Sequence, residues 1–219
     1  EGFDNNYLVP KPQNNETSIN ALFSGDLWIG GIDTFGIIKL AGQTYYNEEY
    51  WPGPLNENGQ IENNNCSNFN RFWKVNGETI TDFRTEFEQN GNILTADEID
   101  ESILKWPGRN NPHFSDFELP QNQDLAPFWD FDNDGIYDPT QGDYPVIDGL
   151  HSALYADQML WWVFNDNGGN HNNTYAEALR MEIHALAYAF QTDDELNDAT
   201  FCKYDFINKG YSPLSETYV

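Results

Sequence analysis

Residues 179–191 read LRMEIHALAYAFQ, and two folding patterns fit them. Leu179, Ile183, Leu186 and Phe190 would share one face of a helix. Leu179, Met181, Ile183, Ala185, Ala187 and Ala189 alternate with Arg180, Glu182, His184, Leu186, Tyr188 and Phe190, as on a strand. Periodicity alone does not separate the two, so the neighbours decide. Residues 199–208 and 214–219 are rich in aromatic and β-branched side chains, with turn-forming Gly210 and Pro213 between them. Such a meander needs a long first strand to pair with. The segment is therefore predicted as a strand. The chain is predicted as mainly β, with antiparallel β-sandwich-like sheets, two short helices and long ordered loops.

Working outward, stretches rich in Asn, Gly and Pro at 56–70, 107–127 and 165–174 are predicted as loops. Residues 21–29 and 36–46 carry Phe, Trp, Ile and Tyr, and are predicted to form a hairpin turning at Gly30, Gly31 and Asp33. Ile80, Phe83 and Phe87 fall at i, i+3 and i+7 before Gly91, which predicts one helix. Thr95 and Glu98 have capping-box spacing ahead of Ile99 and Ile103, which predicts a second, ended by Pro107 and Gly108. Trp161 and Trp162 are adjacent on a predicted strand, so they should point to opposite faces with one in the core. The organisation expected is one incomplete domain over 1–219, divisible into a hairpin-and-helix subregion 1–106 and a subregion 107–219 that holds an acidic loop and the meander.

Composition limits the partners. The chain has 219 residues, 36 acidic against 10 basic, and a formal charge of −26. That field repels nucleic acid and anionic membranes. Seven Trp, twelve Tyr and fifteen Phe are too many for a disordered acidic tail. No run reaches the roughly 18 apolar residues of a membrane span, so the chain is not expected to cross a bilayer. Cys66 and Cys202 lack metal-site spacing, and either a disulfide or two thiols fits them.

One stretch carries chemistry. In residues 130–138, DFDNDGIYD, Asp130, Asp132 and Asp134 alternate, Gly135 follows and Asp138 is ninth. Calcium takes about six to eight hard oxygens, and this spacing offers side chains at positions 1, 3, 5 and 9 with the Ile136 carbonyl at position 7. At position 12 Gln141 stands where an EF-hand has Glu, and Pro127 and Pro139 flank the loop in place of helices. Asp143 is the candidate replacement acid. Three alternating carboxylates repel one another without a cation. The predicted ligands are thus Asp130, Asp132, Asp134, Ile136, Asp138 and Asp143, and the predicted ion is Ca²⁺, because Mg²⁺ prefers few protein ligands and several waters.

Catalytic signatures are missing from the pattern: His113, His151, His171 and His184 form no H-E-x-x-H, no Ser lies in G-x-S-x-G, and no Gly-rich phosphate loop occurs. No catalytic residue is assigned. Carboxylate pairs for glycoside hydrolysis meet only in the fold, and the abundance of Asp and Glu is no argument for them.

Eight phrases in order carry a resemblance: LWIGGID (27–33), YWPGPL (50–55), CSNFNRFWKV (66–75), KWPGRNNPHF (105–114), APFWDFDNDGIYDPTQGDYP (126–145), LWWVFNDNGGNH (160–171), MEIHALAYAFQT (181–192) and ATFCKYDFINKGYSPLSETYV (199–219). Together they resemble the N-terminal region of large secreted Bacteroidetes proteins that carry a C-terminal type IX secretion sorting domain. The resemblance runs from about Leu22 onward. It implies export, passage through the outer membrane with the type IX translocon and shuttle as partners, and residence at the cell surface or in the medium. It implies no particular activity. The function expected is a calcium-stabilised structural or adhesive protein, with an extracellular glycan or surface protein as further partner; a carbohydrate-binding module or glycan-degrading enzyme is the alternative. The chain lacks the sorting domain of the family, and 215–219 reads as a strand just beginning, so a longer protein is expected.

Overall fold

The computed structural model describes residues 7–9, 19–22, 25–44, 46–149 and 152–219. Its first strands are β1 (Tyr7–Val9), β2 (Ile19–Leu22), β3 (Trp28–Ile32), β4 (Ile38–Gly42) and β5 (Trp51–Pro52). Helix α1 (Asn65–Phe69), strand β6 (Trp73–Asn76), helix α2 (Gly77–Gln89) and helix α3 (Glu101–Leu104) follow. After the irregular run come β7 (Phe128–Trp129), β8 (Tyr144–Pro145), β9 (Gln158–Asn165), β10 (Met181–Ala189), β11 (Phe201–Asn208) and β12 (Ser215–Tyr218).

The ambiguous segment is the strand β10, the centre of the largest sheet. It pairs antiparallel with β9 on one side and β11 on the other. The far edge of β9 is shared: β6 pairs with Gln158 to Trp161, and β5 with Phe164 and Asn165. Both faces of β10 are covered, which is why its hydrophobic pattern does not alternate cleanly. One face of this sheet lies beneath the three-stranded sheet β12-β3-β4, through Ile29, Ala41, Tyr50, Leu179, Met181 and Ile183. The other face presents Met159, Trp161, Val163 and Leu186 to a larger core closed by α2 and by Trp106, Tyr137 and Val146. The architecture is mainly β, antiparallel and sandwich-like. Pairings β5-β9, β6-β9 and β3-β12 join residues on either side of position 106.

Helix α2 follows its apolar spacing: Ile80, Phe83 and Phe87 are buried, and Gly91 turns the chain with φ 74°. The 95–103 helix is divided. The capping box forms, with Thr95 N–H donating to Glu98 Oε2 at 2.8 Å, but it caps a single 3-10 turn. Ile99 is extended, and Asp100 starts α3 by accepting from Ser102 N–H at 2.8 Å. A second strong N-cap five residues after the first competes with a continuous helix.

Three further expectations are corrected. The hairpin β3-β4 turns at 33–37 and not at Gly30 and Gly31, because Asp33 Oδ1 accepts from the N–H groups of Phe35 and Ile37 and Gly36 takes φ 78°. Gly30 and Gly31 lie within β3, where a Cβ on Gly31 would come within 3.0 Å of Thr217 Oγ1. The loop predicted at 56–70 contains α1, which buries Phe69. Strand β12 does not extend the meander; it crosses to pair with β3. Cys66 and Cys202 are free, exposed thiols. Residues 23 and 24 of the predicted first strand, and His151, lie outside the described residues.

Candidate metal centre

The acidic loop is held at both ends. Strands β7 and β8 pair Phe128 with Pro145 and Trp129 with Tyr144, so the chain leaves and returns at one place. Asp143 braces the loop between: its Oδ1 accepts from Phe131 N–H and its Oδ2 from Asp138 N–H, both at 2.8 Å. Tyr137 anchors the far side, with its ring fully buried, its hydroxyl donating to Ile103 O at 2.7 Å and its N–H to Arg109 O at 2.8 Å.

Within this frame Asp130, Asp132 and Asp134 converge, each with a carboxylate oxygen within 4.8 Å of the others. Local geometry produces the convergence. Asn133 and Gly135 take left-handed backbone, φ 62° and 77°, which curls the loop around its own side chains. Asp130 accepts from Gly135 N–H at 2.9 Å and Asp134 N–H at 3.2 Å, and Asp134 accepts from Ile136 N–H at 2.7 Å. Among the described residues none of the three carboxylates is ion-paired with a basic side chain. Three hard oxygen donors, exposed or half-exposed and without a counter-charge, form a cluster that could hold a metal ion.

The other predicted ligands sit differently. Ile136 is in the loop, its N–H engaged with Asp134. Asp138 lies outside the convergent trio and caps the 3-10 turn Pro139–Gln141. Its Oδ1 accepts from Thr140 N–H at 2.9 Å and Thr140 Oγ1 at 2.7 Å, and faces His113 Nε2 at 3.0 Å. Asp143 is fully buried. Burial pushes its carboxyl up to about 7, against the two N–H bonds that favour the charged form, and the negative Asp130 and Asp132 add to the rise.

Sequence reasoning missed two buried polar groups. Glu49, Asp166 and His171 tie residues 166–179 to β4. His171 Nδ1 lies 2.8 Å from Leu40 O and Nε2 2.6 Å from Asp166 O. Glu49 and Asp166 carboxylates stand 3.8 and 3.9 Å from the ring. Burial works to raise the pKa of Glu49, but N–H groups of Thr174, Gly42 and Asn173 outweigh it and hold it below the ordinary value. On β10, Glu182 and His184 share a face and meet at 2.7 Å. Their E-x-H spacing was visible in the sequence; that of the first group, whose members are far apart along the chain, was not.

The fold and loop together define a mainly β chain with a braced acidic loop. Comparison with protein-family models, curated proteins and solved structures gave no match.

Proposed function

We propose that this chain is an exported, calcium-stabilised structural or adhesive protein of the cell surface or extracellular medium, and a cargo of type IX secretion. The convergence of Asp130, Asp132 and Asp134 in a loop fastened at both ends carries the calcium half of this reading. The ion would be held by those three carboxylates with the Ile136 carbonyl. An all-oxygen, carboxylate-rich site favours calcium over zinc or copper, and over magnesium, which keeps its waters. The ordered resemblance of eight phrases and the charge of −26 support the export half.

Isothermal titration calorimetry of the chelated protein tests the metal. One calcium per chain, absent in Asp132→Ala, is expected. Heat indistinguishable from dilution at millimolar calcium overturns it. Export is tested by co-purification with outer-membrane translocon components, and failure to recover them removes that half alone.

A further inference from the structure

A second site lies on the opposite face of the central sheet from the acidic loop. Trp162 on β9 and Tyr204 on β11 flank Ala185 of β10 in register, so two rings stand on strands roughly 10 Å apart with only a methyl group between them. Phe72 meets Trp162 edge to face, with ring centroids 5.3 Å apart. Phe72 is 64% exposed and Tyr204 42%, and Trp162 is half-buried. Isolated exposed aromatic residues are ordinary, but three lining one cleft of about 630 Å³ make a surface of ligand-binding size.

The lining also has a polar side. Asp26, Gln43 and Asn70 border the cleft. Among the described residues none of their side chains has a hydrogen-bond partner, and neither has Trp162 Nε1. Arg71 borders it too, but its guanidinium is committed to Asp116 at 2.7 Å and lies over the Trp73 and Phe117 rings. Among the described residues the cleft therefore offers flat apolar faces, several hydrogen-bonding groups and no free cation.

A ligand that suits it has an apolar face, an edge of hydroxyl groups and no negative charge, since the molecule as a whole carries −26. A sugar ring has an apolar C–H face and a hydroxyl edge. We infer that this cleft binds a neutral glycan chain, with rings against Trp162 and Tyr204 and hydroxyl groups bonded by Asp26, Gln43 and Asn70. This binding stands on the cleft alone, and it survives if the calcium reading fails.

Affinity electrophoresis of the intact chain through gels containing mixed-linkage β-glucan, galactomannan, arabinoxylan or polygalacturonate tests it. At least one neutral polysaccharide should retard migration. Trp162→Ala, and separately the more exposed Phe72→Ala, should weaken retardation about tenfold or more. Phe72→Ala should keep the melting temperature of the parent and both variants should keep its chelator response, which separates a lost contact from a lost fold or a lost metal. No retardation by any neutral polysaccharide, retardation unaffected by both substitutions, or preference for polygalacturonate each overturns the inference.

Discussion

Asp143 is the residue on which the loop's electrostatics converge. Folded, without metal, it holds its proton up to about 7, whereas the unfolded carboxyl releases it near 3.8. The folded state thus binds more protons than the unfolded state between those values. Its contribution to stability is neutral below the lower value, declines as pH rises, and is fully unfavourable above the upper one. Because Asp130 and Asp132 add to the rise, a cation held by them should move the midpoint down. Carbon-detected titration of the Asp143 carboxyl in chelator should give a midpoint near 7, shifting lower when calcium is added; a value near 4 in both conditions would contradict this. His171 offers a second residue-scale prediction. Its two nitrogens face carbonyl oxygens while two buried carboxylates flank the ring, so His171→Phe takes the ring partner from Asp166 O, leaves Leu40 O to Thr174 Oγ1, and leaves the buried Glu49 and Asp166 with only their remaining hydrogen bonds. Urea denaturation should show a loss of about 3 kcal/mol or more; a loss under 1 kcal/mol would mean water replaces the ring. The trio Asp130, Asp132 and Asp134 was legible because alternation and a following Gly are local. The partners of Asp138 and Asp143, namely His113, Thr140 and Phe131, depend on how the turn closes and were not.

Among the elements, the acidic loop and the irregular run 107–127 depend on one another. Tyr137 N–H bonds to Arg109 O, His113 meets Asp138, and a Cβ on Gly108 would lie 2.5 Å from Tyr137 Cβ. A run this long without regular structure is uncommon in a compact domain unless something pins it. Limited proteolysis should therefore cut within 107–127 faster in chelator than in calcium. Equal cleavage patterns in the two conditions would separate loop from metal. The same scale shows why patterns succeed and fail. Helix α2 has one buried face, and its spacing was readable. Strand β10 is covered on both faces, so its identity came from the strands around it. The β3-β4 turn was misplaced because Gly31, which permits close approach of Thr217 on β12, and Gly30, which lies against Leu40 on β4, look, in sequence, like a turn.

At the scale of the whole molecule, the crossing of β12 to β3 joins the end of the described chain to its first long hairpin, a pairing across more than 180 residues that no local pattern announces. The mainly β class was legible from composition and alternation; the assignment of strands to sheets was not. The braced loop links β7 and β8 to the core through Asp143 and Tyr137, so an ion bound there should stabilise the entire fold and not the loop alone. A ligand restricted to the folded state adds RT ln(1 + [L]/Kd), about 2.7 kcal/mol at a hundredfold excess. For a domain of 150–250 residues each kcal/mol moves Tm by about 2–4 °C. The most direct measurement is the thermal melt of wild type and Asp132→Ala in calcium and in chelator. Wild type should lose about 5–10 °C on chelation, and Asp132→Ala should melt near the chelated wild-type value in both buffers. A wild-type melting temperature unchanged by chelation would contradict the calcium account.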